Sequence, residues 1–218
     1  MRAMILAAGR GMRLRPLTDT CPKPLLPVHG KPLIEYHLEN LQKAGVREVV
    51  INVSYLKHQI RAHLQQGERF GVNIQYSEEP EALETGGGIF QALPLLGQEP
   101  FILLNADIIT QYPLISLVHA PLIDHLAHLV LVPNPPEHPA GDFALSAKQY
   151  VLQQSNPNPW TYSGMAKLSP HLFDGCVPGK YSLIPLYLKA MDTQQVTGEV
   201  YTGEWVDIGS LERYQEVF

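Results

Sequence analysis

Close to its start the chain reads "LAAGRGMRLRPLTDTCPKPLLPV", from Leu6 to Val28, a stretch that packs two glycines, three arginines and one lysine between prolines. Gly9 and Gly11 allow close backbone approach, and consecutive amides in such a loop form a concave site for an anion. Arg13 and Lys23 would neutralise phosphate charge as it develops. A bare glycine pair is also compatible with an ordinary turn flanked by solvated basic residues. Other phosphate loops fail on spacing. A dinucleotide fingerprint needs a third glycine where Leu14 stands, and no lysine-serine or lysine-threonine ending of a P-loop occurs.

Two acids stand far from this loop, Asp107 closing "FILLNAD" and Asp207 inside "WVDIG". Either one alone reads equally as a strand-end cap. Together, at the ends of strands, they suit a hard cation such as magnesium, held by few carboxylates and completed by phosphate oxygens and water. "LETGGG" adds a helix start, with Thr85 as its cap. Gly86 to Gly88 there offer either exposed amides for a base or ribose edge, or room for close helix packing.

The elements that must position these groups follow from the apolar patterning. "AMILAA", "REVVINV", "VNIQYS" and "FILLNAD" read as strands. "KPLIEYHLENLQKAG", "LKHQIRAHLQQG" and "TGGGIFQALPLL" alternate with them as helices, the first two closed by Gly45 and Gly67. That alternation predicts an α/β fold with a parallel sheet covered on both faces, whose ligands sit beyond the carboxyl ends of the strands. After Asp107 the pattern loosens. "HLVLV" and "WTYSGMAKL" read as strands, "PNPPEHPAGD" as a loop and "FALSAKQYVLQQ" as a hairpin. "YSLIPLYLKAMD" is helix, "EVYTGEWVDIG" strand, and "SLERYQEVF" a closing helix from near Ser210.

Composition narrows the class. The 218 residues are 45% hydrophobic and 17% charged, enough to bury a core in one sizeable domain, 1–218. A net charge of -5 argues against a nucleic-acid partner. No apolar run has the length of a membrane span, and "MRAMILAAG" lacks the cleavage pattern of a signal peptide. Two cysteines, Cys21 and Cys176, make no disulfide framework. A cytoplasmic protein without membrane association is expected, and a monomer. His119, His125 and His128 lack the companions of a zinc site. Cys21 reads as a passive small residue, and Trp160 and Tyr162 as core aromatics.

Gly9-Arg10-Gly11-Met12-Arg13, Arg15-Pro16-Leu17-Thr18 and Pro22-Lys23-Pro24 resemble the signature of the sugar-1-phosphate nucleotidylyltransferases. The resemblance continues through "LETGGG", "LNAD", "YSGM" and "WVDIGS" and spans essentially the whole chain. "PLIEYHL", "LETGGGIF", "ALPLLG" and "GDF" are most similar to a uridylyltransferase branch; the guanylyltransferases share the opening signature and stay open as the alternative. The resemblance implies a three-layer Rossmann-like fold with a mostly parallel mixed sheet and no C-terminal β-helix. Residues 1–110 would form mainly the nucleotide half and 111–218 mainly the sugar-phosphate half. It implies magnesium-dependent attack of a sugar 1-phosphate on the α-phosphorus of UTP or another nucleoside triphosphate.

By position, Gly11, Met12 and Arg13 would hold the triphosphate, with Arg13 on the transferring α-phosphate. Lys23 would bridge the phosphates, and Asp107 and Asp207 would hold the metal. Leu6, Ala7, Ala8 and Gly9, with Glu84, Thr85, Gly86 and Gly87, would line the base pocket, and Asn105, Asp142 and Gly164 would face the sugar. There are departures. Met12 stands where many relatives have serine or threonine, and Ala106 where glycine is common. "PNPPEHPAGDF" lacks the lysine that meets the sugar phosphate in many relatives. That leaves Lys180 or Lys167 as substitutes, or more work for Arg13 and the metal.

Overall fold

The structure is a computed structural model that describes residues 1–153 and 159–217. Seven strands form one sheet: β1 (Arg2–Leu6), β2 (Glu48–Val53), β3 (Asn73–Glu78), β4 (Phe101–Asn105), β5 (Ala127–Val132), β6 (Thr161–Leu168) and β7 (Val196–Val200). Their spatial order is β7-β5-β6-β4-β1-β2-β3, and only β6 runs antiparallel to its neighbours. Among the described residues six α-helices accompany it: α1 (Leu33–Lys43), α2 (Lys57–Leu64), α3 (Glu84–Leu96), α4 (Leu114–His119), α5 (Ile184–Asp192) and α6 (Leu211–Val217).

Successive residues of a strand face opposite sides, and β1 shows both sides dry. Ala3 and Ile5 pack with Ile34, Leu38 and Leu41 of α1 and with Ile60 and Leu64 of α2, while Met4 packs with Ile89 and Leu96 of α3. Tyr187 and Met191 of α5 extend the second core. The architecture is therefore helix–sheet–helix. In α1 the apolar positions 34, 38 and 41 keep one face inward, and Gly45 follows the helix in the left-handed conformation at φ 78°. No helix among the described residues is long and apolar enough to cross a membrane.

β1 is the origin of a switch in strand order. The chain moves from β1 outward to β2 and β3, then β4 pairs with the other side of β1. The loops after β1 and β4 therefore open onto a common crevice.

The structure departs from the sequence reading in three places. "EVYTGEWVDIG" is not one strand. β7 begins earlier, at Val196, and ends at Val200, and Trp205–Asp207 then pairs antiparallel with Ile108–Thr110 in a separate ribbon. Helix α4 is too short for helical periodicity to show in the sequence. The third departure is the glycine run. The amides of Gly86 and Gly87 are not exposed: both donate to the Tyr181 carbonyl, at 2.9 and 3.1 Å. Thr85 does not cap the helix, since its Oγ1 accepts the Leu183 amide at 2.8 Å. The predicted hairpin and final helix end at Gln154 and Phe218, which lie outside the described residues.

A Cβ added at Gly87 would lie 2.1 Å from the Gly179 carbonyl oxygen, a backbone atom that cannot swing aside. Gly87→Ala is therefore expected to cost about 1–3 kcal/mol, the usual penalty of overpacking. Gly45→Ala meets nothing within 4 Å and should lose only about 1 kcal/mol for its left-handed backbone. Urea unfolding midpoints of the two variants check the difference.

Candidate active site

Where β1 ends, the Ala7 amide donates to Asn52 Oδ1 at 2.8 Å, and Asn52 Nδ2 donates to Glu79 Oε1 at 2.7 Å. Glu79 Oε2 accepts the Leu83 amide at 2.8 Å, at the threshold of α3. Asn52 and Glu79 are 3% and 1% exposed. A buried polar chain thus ties the ends of β1, β2 and β3 to the first turn of α3. Gly88 leaves room for it: a Cβ there would stand 2.6 Å from Glu79 Oε1. The sequence reading missed both residues. Its available signal was one amide in the otherwise apolar run "VVINV", with an acid directly after the next strand.

The chain then turns through Gly11, at φ 64°, whose carbonyl accepts the Leu14 amide and the Thr18 hydroxyl. A Cβ at Gly11 would lie 2.9 Å from Thr18 Cγ2 and 3.2 Å from Lys23 Cβ, so this position needs glycine twice over. Buried Leu14 anchors the turn and leaves Met12 and Arg13 exposed. The basic cluster separates at this point. Arg10 lies over the Tyr55 ring and Arg15 pairs with Asp19, both outside the cleft, whereas Arg13 and Lys23 line it.

Lys23 Nζ donates to Asp107 Oδ2 at 2.6 Å, across the crevice between the β1 and β4 loops. The ribbon sets Asp207 opposite Ile108, and the Ile208 amide donates to the Asp107 carbonyl at 2.7 Å, so the backbones that carry the two acids are joined. Asp207 Oδ1 meets the Arg213 guanidinium of α6, which also meets Glu137. Each acid therefore has one basic partner. Among the described residues no group of three or more His, Cys, Asp or Glu side chains could hold a metal. Two adjacent carboxylates fit a hard cation completed by substrate phosphates and water, and do not fit an all-protein cage.

The cleft has a volume of about 340 Å³. Leu6, Ala7, Ala8, Gly9, Gly11 and Met12 line it, as do Arg13, Lys23, Glu84 and Thr85. Asn105 and Asp107 complete the opposite wall, beside Gly209. Asp207, Gly86, Gly87, Asp142 and Gly164 are not among the lining residues. Gly164, at φ 81° in the irregular part of β6, makes room behind Asn105, whose Nδ2 a Cβ would approach to 2.7 Å. Asp142 accepts the Tyr162 amide on Oδ2 at 2.8 Å and meets His138 on Oδ1 at 3.1 Å, fastening its loop to β6. A larger groove of about 1020 Å³, by Lys31, Tyr36 and Trp205, holds none of the residues singled out from the sequence.

Two other side chains bear on the site. His37 of α1 is buried beneath the turn that carries Asp107, with Nε2 lacking a hydrogen-bond partner. Burial pushes its pKa down to about 4, against the opposing pull of Asp107 and of the backbone at Ala106 and Ile108. Lys167 donates to the Val118 and Ala120 carbonyls at 2.8 and 2.6 Å and so closes α4. That removes it as a sugar-phosphate ligand. Lys180 is exposed, on the loop that packs against Gly86 and Gly87.

The family profile described as nucleotidyl transferase matches residues 2–143. An N-acetylmuramate alpha-1-phosphate uridylyltransferase of Neisseria meningitidis serogroup B is 48% identical over 99% of this chain and 96% of its own. The protein of the same name from Caulobacter vibrioides is 35% identical over 95% and 91%. A Bacillus anthracis structure solved with sucrose superposes with a TM-score of 0.89 at 18% identity, covering 100% of this chain and 94% of that one, and so shares the fold.

Asn52→Ala would strand a buried amide and a buried carboxylate, for an expected loss of about 2–4 kcal/mol in urea unfolding. His37 gives a pH signature. With its folded pKa below the unfolded 6.5, the unfolded state binds more protons between pH 6.5 and 4. Stability from this group is complete above 6.5 and falls by about 3 kcal/mol as pH drops to 4. His37→Gln should flatten the stability profile across that window relative to the parent.

Proposed function

The chain belongs to the nucleotidyl transferase family, and from that premise we propose that it transfers UMP from UTP to N-acetylmuramate α-1-phosphate, giving UDP-N-acetylmuramate and pyrophosphate. On this reading it serves the reuse of cell-wall sugars. The supporting observation is the meeting, in one crevice, of the glycine loop, Arg13, Lys23 and Asp107, with Asp207 paired in the ribbon beside Ile108. The 48% identity to the Neisseria uridylyltransferase, along nearly the whole of both chains, favours UTP and the lactyl-bearing sugar over GTP and mannose 1-phosphate.

The chemistry needs no nucleophile from the protein. A phosphate oxygen of the sugar 1-phosphate forms a bond to the α-phosphorus, and the bond to the bridging oxygen of the β-phosphate breaks, so pyrophosphate leaves with that electron pair. Such transfers depend on positioning and charge stabilisation. The backbone at Gly11 and Met12 receives the triphosphate, and Arg13 stabilises charge on the α-phosphate. Lys23, already beside Asp107, moves onto the phosphates. Leu6 to Gly9, with Glu84 and Thr85, border the base. Asn105 faces the sugar, with Gly164 giving it space and Asp142 securing the neighbouring loop. Asp107 and Asp207 would hold magnesium, which when bound neutralises phosphate charge. Residues 1–218 act as one nucleotidyltransferase domain, its first 110 residues holding mainly the nucleotide and the remainder mainly the sugar phosphate. A binding protein without turnover would have no need of Arg13, Lys23, Asp107 and Asp207 together.

The test is pyrophosphate release with magnesium, UTP and N-acetylmuramate α-1-phosphate, beside GTP with mannose 1-phosphate. Release confined to the first pair is expected, and release confined to the second would overturn the substrate assignment. Excess chelator should abolish turnover. Asp107→Asn should lower kcat by about 10²-fold or more, as for the loss of one preorganised charge contact. Lys23→Ala should raise the KM for UTP.

A further inference from the structure

We infer that Arg213, on α6, is the residue that receives the phosphate of the sugar 1-phosphate, an assignment that rests on the function proposed above. The loop at the head of β6, residues 133–142, contains neither lysine nor arginine. Lys167 is committed to α4, Arg10 and Arg15 to Tyr55 and Asp19, and Lys180 stands exposed outside the cleft lining, on the loop packed against Gly87 of α3. Arg213 has the position the chemistry requires. Its side chain is only 18% exposed, with Nη1 on Asp207 and Nη2 on Glu137. Glu137 follows β5 and Asp207 stands beside the end of β4. The guanidinium therefore spans the head of β6, on the opposite side of β1 from Asn52 and Glu79.

Arg213 is not itself among the lining residues but stands directly behind the cleft wall. A Cβ on the lining residue Gly209 would lie 3.3 Å from Arg213 Nη1. Arginine carries five N–H donors in a rigid fork, so two carboxylates fix its plane and still leave donors for an anion. Arg13 lines the same cleft, so a phosphate held there would gain charge-assisted contacts from both guanidinium groups.

The experiment compares the parent with R213K, R213M and E137Q, using magnesium, UTP and N-acetylmuramate α-1-phosphate. It also follows calorimetric binding of the sugar phosphate to each protein loaded with a non-hydrolysable UTP analogue. R213M should raise the acceptor KM by about tenfold or more while the UTP KM stays within about twofold, with acceptor affinity falling in parallel. R213K keeps the charge but loses the fork, and should raise the acceptor KM several-fold. E137Q leaves the guanidinium in place with one anchor weakened, and should show a smaller rise of the same kind. Should R213M fail to fold by circular dichroism, R213K and E137Q decide. Unchanged acceptor KM and affinity in the folded variants, or a UTP KM that rises in step, overturns the assignment. A parent that turns over no sugar 1-phosphate overturns the functional reading instead, and the two failures are distinct.

Discussion

The pairing of Ile108–Thr110 with Trp205–Asp207 is the constraint on which the site depends. It is a short antiparallel ribbon outside the main sheet, yet its register decides where two carboxylates stand. Side chains alternate along a strand, so a slip of one residue would turn Asp207 to the other face. The register is anchored by apolar burial rather than by the acids. Ile108 and Ile208 are 1% and 0% exposed, and Trp205 Nε1 donates to the Ser163 carbonyl at 2.9 Å. Placing two negative charges together is unfavourable, and hydrophobic packing on either side of them offsets that cost.

The same economy governs the cations. Lys23 pairs with Asp107, and Arg213 with Asp207 and Glu137. Such pairing offsets the cost of holding these charges in a half-buried place. It also means that a triphosphate alone brings uncompensated charge, whereas a triphosphate with a divalent cation exchanges partners. The carboxylates would then hold the cation, Lys23 would turn to the triphosphate, and Arg213 would be left for the phosphate of the sugar 1-phosphate. On the proposed function, this exchange makes nucleotide and metal binding mutually supportive.

Much of the framework was legible because parallel strands buried on both faces read as continuous apolar runs: "AMILAA", "REVVINV" and "FILLNAD" each fall on a strand of the sheet. The loop with Gly11, Arg13 and Lys23, and Asp107 at the end of β4, were legible for the same reason, since they stand where apolar runs stop. What escaped was set by partners remote in sequence. Gly86 and Gly87 look alike whether their amides face solvent or a carbonyl, and the answer lay in Tyr181. Asn52 and Glu79 are single polar residues whose meaning appears only when β2 and β3 are adjacent. Arg213 reads as one more charge on an amphipathic terminal helix until Asp207 and Glu137 are brought to it.

The single antiparallel strand brings a further segment of the second half of the chain to the edge of the sheet where the crevice lies. In β1, β2, β3 and β4 the carboxyl ends point at the crevice, so Asn52 near the end of β2 and the loops carrying the glycine turn, Glu79 and Asp107 all stand there. β6 runs the other way, so its first residues, from Thr161 to Gly164, arrive at that same edge. The segment before β6 is therefore delivered to the crevice where an ordinary parallel strand would deliver the segment after it. Asp142 binds the Tyr162 amide, Gly164 yields space to Asn105, and Glu137 meets Arg213, all at the head of one reversed strand. Reversing one strand thus brings Thr161 to Gly164 to the edge where the loop after β5, with Glu137 and Asp142, already stands. A parallel β6 would have placed Tyr162 and Gly164 at the opposite end, away from Asp142 and Asn105.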